Sequence, residues 1–176
     1  MKIRNILSGL TVVSLCTMGI LAISDTQTVK AESNPSAALA PCSSVVAGTY
    51  LTTILNADRT LASRGLITLT RDGNIIVGDS NQGGISGVFN AFTTSQGSWV
   101  CTGKRSITAR SLNFSIANKG GTGIARSNYV ATVNPNTKTV RGTITLNLFG
   151  LQDNPLVGNG TSGGTFTFTG RLVTAE

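Results

Sequence analysis

From Val46 onward, apolar and polar residues alternate with a period of two, and each alternating stretch is bounded by Gly, Asn or Asp. Period two places successive side chains on opposite faces, which is the signature of half-buried strands. The pattern predicts eight of them, over residues 48–56, 64–70, 74–78, 95–102, 105–116, 123–133, 139–149 and 161–173. Tyr50, Thr52 and Ile54 share one face of the first, and Ala125, Tyr129, Ala131 and Val133 share one face of the sixth. In the seventh, Val140, Ile144, Leu146 and Leu148 face together; in the last, Phe166, Phe168 and Leu172 oppose Thr165, Thr167 and Thr169. The fifth changes phase, with Ile107 and Ala109 on one parity and Leu112, Phe114 and Ile116 on the other. A bulge near Arg110 and Ser111 is therefore expected, to return them to one side.

Turn chemistry supports this division. Arg71-Asp72-Gly73-Asn74 carries an Asp-Gly hairpin turn between the second and third strands, and Asn134-Pro135-Asn136-Thr137-Lys138 joins the sixth to the seventh. Short connections favour an antiparallel meander. Curling eight strands into a small barrel removes the exposed edges. The expected fold class is thus all-β, an eight-stranded antiparallel meander closed into a small barrel. A two-layer β-sandwich is the alternative, since periodicity alone does not separate the two. No helix is expected after the N-terminal apolar run.

That run, Ile6 to Ile23, follows Lys2 and Arg4 and leads to Val29-Lys30-Ala31. A basic start, an apolar stretch and small residues at a cleavage site form the layout of a secretory signal peptide. The expected organisation is a signal peptide over 1–31, a flexible Ser, Ala, Asn and Pro-rich leader over 32–45, and a barrel domain over 46–176. Export to a secreted or periplasmic location follows, with no integral membrane segment after cleavage. Cys16 reads as part of the apolar run rather than a lipid attachment site, because Leu15 precedes it.

Cleavage would leave 11 basic and 6 acidic residues, a net charge of +5, and two cysteines, Cys42 and Cys101. An even count in an oxidising compartment favours a disulfide between them, two free thiols being the alternative. The bases are spread along the chain, and only Lys104 and Arg105 are adjacent. Nucleic-acid binders concentrate such charge, so no nucleic-acid partner is expected.

Candidate chemistry is sparse. The chain contains no histidine, which eliminates a Ser-His-Asp triad, a Cys-His pair and histidine metal sites. Asp58 and Asp72 read as turn residues, leaving little for paired-carboxylate hydrolysis. No calcium-loop spacing is present, and the glycine clusters precede strands rather than the helix that a phosphate cradle needs. No metal, cofactor or catalytic residue is assigned. Two long connections stand out, 78–94 with Val88, Phe89 and Phe92, and 150–164 with its glycines. The first is the better candidate for a lid, or for a plug of one barrel end.

Gly48-Thr49-Tyr50 sits where lipocalins place Gly-x-Trp at the start of their first strand, and Arg171 stands in the last strand. On these residues the chain resembles the calycin-type barrels, meaning the lipocalins and the allene oxide cyclase-like barrels. Gly97-Ser98-Trp99-Val100-Cys101 and Gly142-Thr143-Ile144-Thr145-Leu146 are similar to segments of bacterial exported barrels. The resemblance implies a hollow or filled small barrel, with Arg171 packed over Tyr50 to seal one end.

Three functional expectations stand together. The leading one is a secreted, non-enzymatic barrel that binds a small apolar or amphipathic ligand through Tyr50, Phe89, Phe92, Trp99, Arg126, Tyr129 and Phe168. Alternation puts Arg126 and Tyr129 on opposite faces, so at most one points inward. The second is a cofactor-free cyclase or isomerase of the allene oxide cyclase-like kind, with Tyr129 or an inward Arg126 stabilising charge. The third is a structural exported protein with a filled barrel.

Overall fold

The structure is a computed structural model and describes residues 40–116 and 123–175. The segment 1–31 and most of 32–45 lie outside the described residues. Among the described residues, one short helix, α1 (Ala40–Val46), is followed by nine strands: β1 (Gly48–Leu55), β2 (Leu61–Leu69), β3 (Asn74–Asp79), β4 (Ala91–Phe92), β5 (Ser95–Cys101), β6 (Ser106–Ile116), β7 (Gly123–Asn134), β8 (Thr139–Gly150) and β9 (Thr161–Leu172).

All pairings are antiparallel, in the order β5-β3-β2-β1-β9-β8-β7-β6, and β6 returns to β5. Eight strands therefore form a closed barrel. The sandwich alternative fails because all eight strands belong to one ladder that closes on itself, β1 pairing with β9 and β6 with both β5 and β7. The ninth strand is two residues long. β4 extends β5 along β6, with Ala91 opposite Ile116 and Phe92 opposite Ser115.

Each strand buries alternate residues inward. Tyr50, Thr52 and Ile54 of β1, Ile67 and Leu69 of β2, and Tyr129, Ala131 and Val133 of β7 follow the expected parity. Strand β6 does not change phase. Its ladders to β5 and β7 run without a register shift across Arg110 and Ser111, so the expected bulge is absent. Ser111 and Asn113 face inward behind Ile107 and Ala109, while Phe114 and Ile116 are exposed on the outer wall. Here hydrogen-bond register outweighed hydrophobicity. The inward serine and asparagine find partners, and the outward apolar residues stand beside the long β3–β4 connection. At Gly97 of β5 the strands approach so closely that a Cβ would collide with the Arg110 carbonyl of β6.

The end of the barrel at the start of β1 is sealed by α1, an element the alternation does not announce. Pro41 stands in the first turn, where its missing N–H is not needed. Cys42 and Val46, four residues apart, lie on one helical face and are both buried. The Tyr50 hydroxyl donates to the Val46 carbonyl at 2.8 Å, satisfying an acceptor that the helix end leaves open. The Cys42–Cys101 disulfide joins α1 to the end of β5, with Cα atoms 6.3 Å apart. The Arg171–Tyr50 seal does not form. Arg171 pairs with Leu51, and Tyr50 with Leu172, so the arginine faces outward and the tyrosine inward. A one-residue offset in a strand reverses the face.

Among the described residues, no helix is long and apolar enough to cross a membrane.

Candidate functional site

The interior of the barrel is occupied by side chains along its length. Ile75, Trp99 and Val133 fill the level above α1, with the Trp99 Nε1 donating to the Thr70 carbonyl at 3.0 Å. Tyr129 and Phe168 meet at mid-barrel, their rings edge to face at 80° with centroids 6.5 Å apart. All are nearly inaccessible to water, as expected of an eight-stranded barrel that is just filled by its own residues.

Towards the other end the interior turns polar. The Tyr129 hydroxyl and Ser111 lie 3.3 Å apart. Burial pushes the tyrosine pKa up; the Ser111 contact opposes this, and the Asp79 charge adds to it. Tyr129 is therefore a proton-holding hydroxyl near neutral pH rather than a base. Ser63 donates to Asp79 at 2.8 Å, and the other Asp79 oxygen accepts the Asn81 N–H at 2.8 Å. The Asn113 amide nitrogen donates to Ser95 at 3.0 Å, leaving its buried Oδ1 without a hydrogen bond. The expected phase change hid Ser111 and Asn113 from view. Uninterrupted alternation from Ile107 would have found them.

Above this layer stands the connection between β3 and β4. It is a small hairpin rather than an open loop. Ile85 and Phe89 exchange backbone hydrogen bonds at 3.0 and 3.1 Å, and Phe92 N–H donates to the Gln82 carbonyl at 2.9 Å. Phe89 and Phe92 lie 6.1 Å apart at 49°. Phe92 stands opposite Ser115, on the face that Asn113 also uses. Beside this hairpin lies a cavity of about 600 Å³ bounded by Gly83, Ile85, Val88, Phe89, Asn90 and Ile116 among others. Val88, the most open of these apolar residues, is 72% exposed. Ser86 and Asn90 are the polar side chains among its lining residues.

The chain matches no family model, no curated protein and no solved structure. Its closed antiparallel barrel is compatible with a calycin-like architecture.

The seven residues expected around one ligand separate into four places. Tyr50 and Trp99 belong to the closed end, Tyr129 and Phe168 to the middle, and Phe89 and Phe92 to the hairpin. Arg126 faces outward and is nevertheless buried. Its guanidinium lies over the Phe149 ring, 4.9 Å from the centroid, and Nη1 donates to the Pro155 carbonyl at 2.8 Å. Arg110 reaches the Leu156 carbonyl at 3.3 Å, and Asn147 that of Asn159 at 2.7 Å. The glycine-rich connection 151–160 is thus strapped against the outer wall by side chains of β6, β7 and β8. Asp58 and Asp72 are turn residues, each with a carboxyl pKa lowered by hydrogen bonds, to the Thr60 hydroxyl and the Thr70 hydroxyl first.

Proposed function

We propose that this chain is an exported β-barrel that binds a small amphipathic molecule in the cavity beside the β3–β4 hairpin, without catalysing a reaction. The observation that carries this reading is the cavity itself. Its volume of about 600 Å³ falls within the range of small-molecule sites, roughly 300–1,000 Å³. Its wall joins the exposed apolar side chains of Ile85, Val88, Phe89 and Ile116 to the polar residues Ser86 and Asn90, which suits a ligand with one greasy and one polar side. The ligand sits against Phe89, Val88 and Ile116, with Phe92 behind the hairpin. Tyr50, Trp99, Tyr129 and Phe168 serve as the rigid packing beneath it. Export is supported by the basic and apolar N-terminal layout and by the Cys42–Cys101 bond, because disulfides persist in oxidising compartments.

Titration with an apolar fluorescent dye such as 1-anilinonaphthalene-8-sulfonate tests the reading. Saturable enhancement that Val88→Asp and Phe89→Ser abolish, with the fold retained, is expected. An enhancement that these variants leave intact contradicts it. Native mass spectrometry of protein purified from its host adds a second check, with a bound small molecule expected.

The filled interior favours one further reading, a structural protein used for contact. That reading predicts no saturable dye binding. A cyclase or isomerase would need space beside Tyr129, whose hydroxyl instead meets Ser111 within tightly buried surroundings.

A further inference from the structure

The outer wall carries a second feature, with a lining distinct from that of the hairpin cavity. The registers align Arg64, Thr53, Thr169, Arg141, Thr132 and Ser106 in a single row across β2, β1, β9, β8, β7 and β6. Every one of these positions has outward parity. Arg105 adjoins the far end of the row, its carbonyl accepting the Val133 N–H at 2.9 Å. Arg171 lies two residues from Thr169 along β9, opposite Leu51 and Thr139. All of these residues but Ser106 line a groove of about 770 Å³ that holds four arginines and four threonines and no carboxylate.

Neighbouring strands are about 4.8 Å apart, so Arg64 and Arg141 stand roughly 14 Å apart around the wall, and Arg141 and Arg105 roughly 10 Å. Clustered guanidiniums without acids create a field that attracts anions, and their fixed forks suit carboxylate or sulfate groups. The threonine hydroxyls between them donate and accept, which matches the hydroxyls of a sugar chain. We infer that this groove binds an acidic polysaccharide laid across the strands, its charged units held by Arg64, Arg171, Arg141 and Arg105. A single-stranded nucleic acid would require aromatic platforms for its bases, and the groove has none. A lipid surface would require apolar insertion, yet Leu51 is the one exposed apolar side chain in the lining.

Polygalacturonate serves as the acidic polysaccharide probe, compared by isothermal titration with neutral dextran, a thymidine oligonucleotide and phosphatidylglycerol vesicles. Each exposed ion pair is worth about 0.2–1 kcal/mol, so R64Q, R141Q or R171Q each weakens polygalacturonate binding by roughly 1.4-fold to 5-fold, and R64Q/R141Q together by more. Arg71→Gln, in the β2–β3 turn, removes the same charge elsewhere and leaves binding unchanged. Binding also weakens as salt rises, because exposed charges are screened within about 10 Å at 0.1 M. The inference is overturned by equal losses in Arg71→Gln and the groove variants, by tighter binding of vesicles or oligonucleotide through the groove arginines, or by no binding to polygalacturonate at low salt. Circular dichroism of each variant confirms that the barrel is retained, since all four substitutions are at exposed positions.

Discussion

Truncating Phe168 to alanine measures whether the barrel is filled. The ring is 3% exposed and meets Tyr129 edge-on at 6.5 Å. Phe168 pairs with Ile54 on one side and Gly142 on the other. A Cβ placed on Gly142 would come within 2.9 Å of the Phe168 ring, so the ring occupies the volume that this glycine leaves open. Removing it loses the transfer free energy of the ring and creates a cavity in walls that cannot collapse freely, a total of roughly 3–5 kcal/mol. The edge-on contact with Tyr129 accounts for about 0.5–1.5 kcal/mol of that. Equilibrium unfolding in urea, with the disulfide intact, reads the loss directly. At a slope of about 2 kcal/mol/M the midpoint falls by about 2 M with the slope unchanged. A loss below about 1 kcal/mol would refute the reasoning, because it would mean that the ring borders empty or water-filled space and the barrel is hollow.

Three further outcomes follow from the same geometry. Cys42 and Cys101 are 59 residues apart, so Cys101→Ser costs about 4 kcal/mol in the chain-entropy model, read as a lowered unfolding midpoint; protein that alkylates fully without reductant would contradict the bond. Burial raises the pKa of both Tyr50 and Tyr129 above the ordinary value of 10.0, so both phenols titrate late in an ultraviolet pH titration. Because the folded values are the higher ones, this contribution to stability is complete below about pH 10 and is lost as pH rises through them; a tyrosine titrating at or below its ordinary value would contradict the burial. Arg126→Ala frees the Pro155 carbonyl and uncovers Phe149, so limited proteolysis within 151–160 accelerates while the barrel strands stay protected; an unchanged cleavage rate would show that Arg126 does not hold the strap.

The alternation made the barrel legible because each strand faces a dry interior on one side and solvent on the other. Val140, Ile144, Phe168 and Tyr129 lie where their parity puts them. Strand β6 departs from the expectation because its apolar residues beyond Ala109, Phe114 and Ile116 among them, face outward, whereas hydrophobicity alone places them inside. Helix α1 does not show in the sequence because about two turns, anchored by a disulfide and the Tyr50 hydroxyl, depend on tertiary contacts rather than on a periodic pattern. Strand β4 is too short to show any period. Of the seven candidate residues, Phe89 lines the cavity beside the hairpin and Phe92 packs against Phe89; apolar residues without strand alternation marked their loop in the sequence. The pairing of Arg171 with Leu51, which turns it away from Tyr50, depends on a register that no single strand reveals.

The central claim is that ligand binds beside the hairpin and not within the barrel. Amide chemical-shift mapping by nuclear magnetic resonance, as the anilinonaphthalene dye is titrated to saturation, tests it most directly. The account predicts that the shifts concentrate at Gly83, Ile85, Val88, Phe89 and Ile116, while Tyr50, Trp99, Tyr129 and Phe168 stay within the spread of the remaining barrel. Shifts concentrated at those four interior residues, or none at the hairpin, would contradict it.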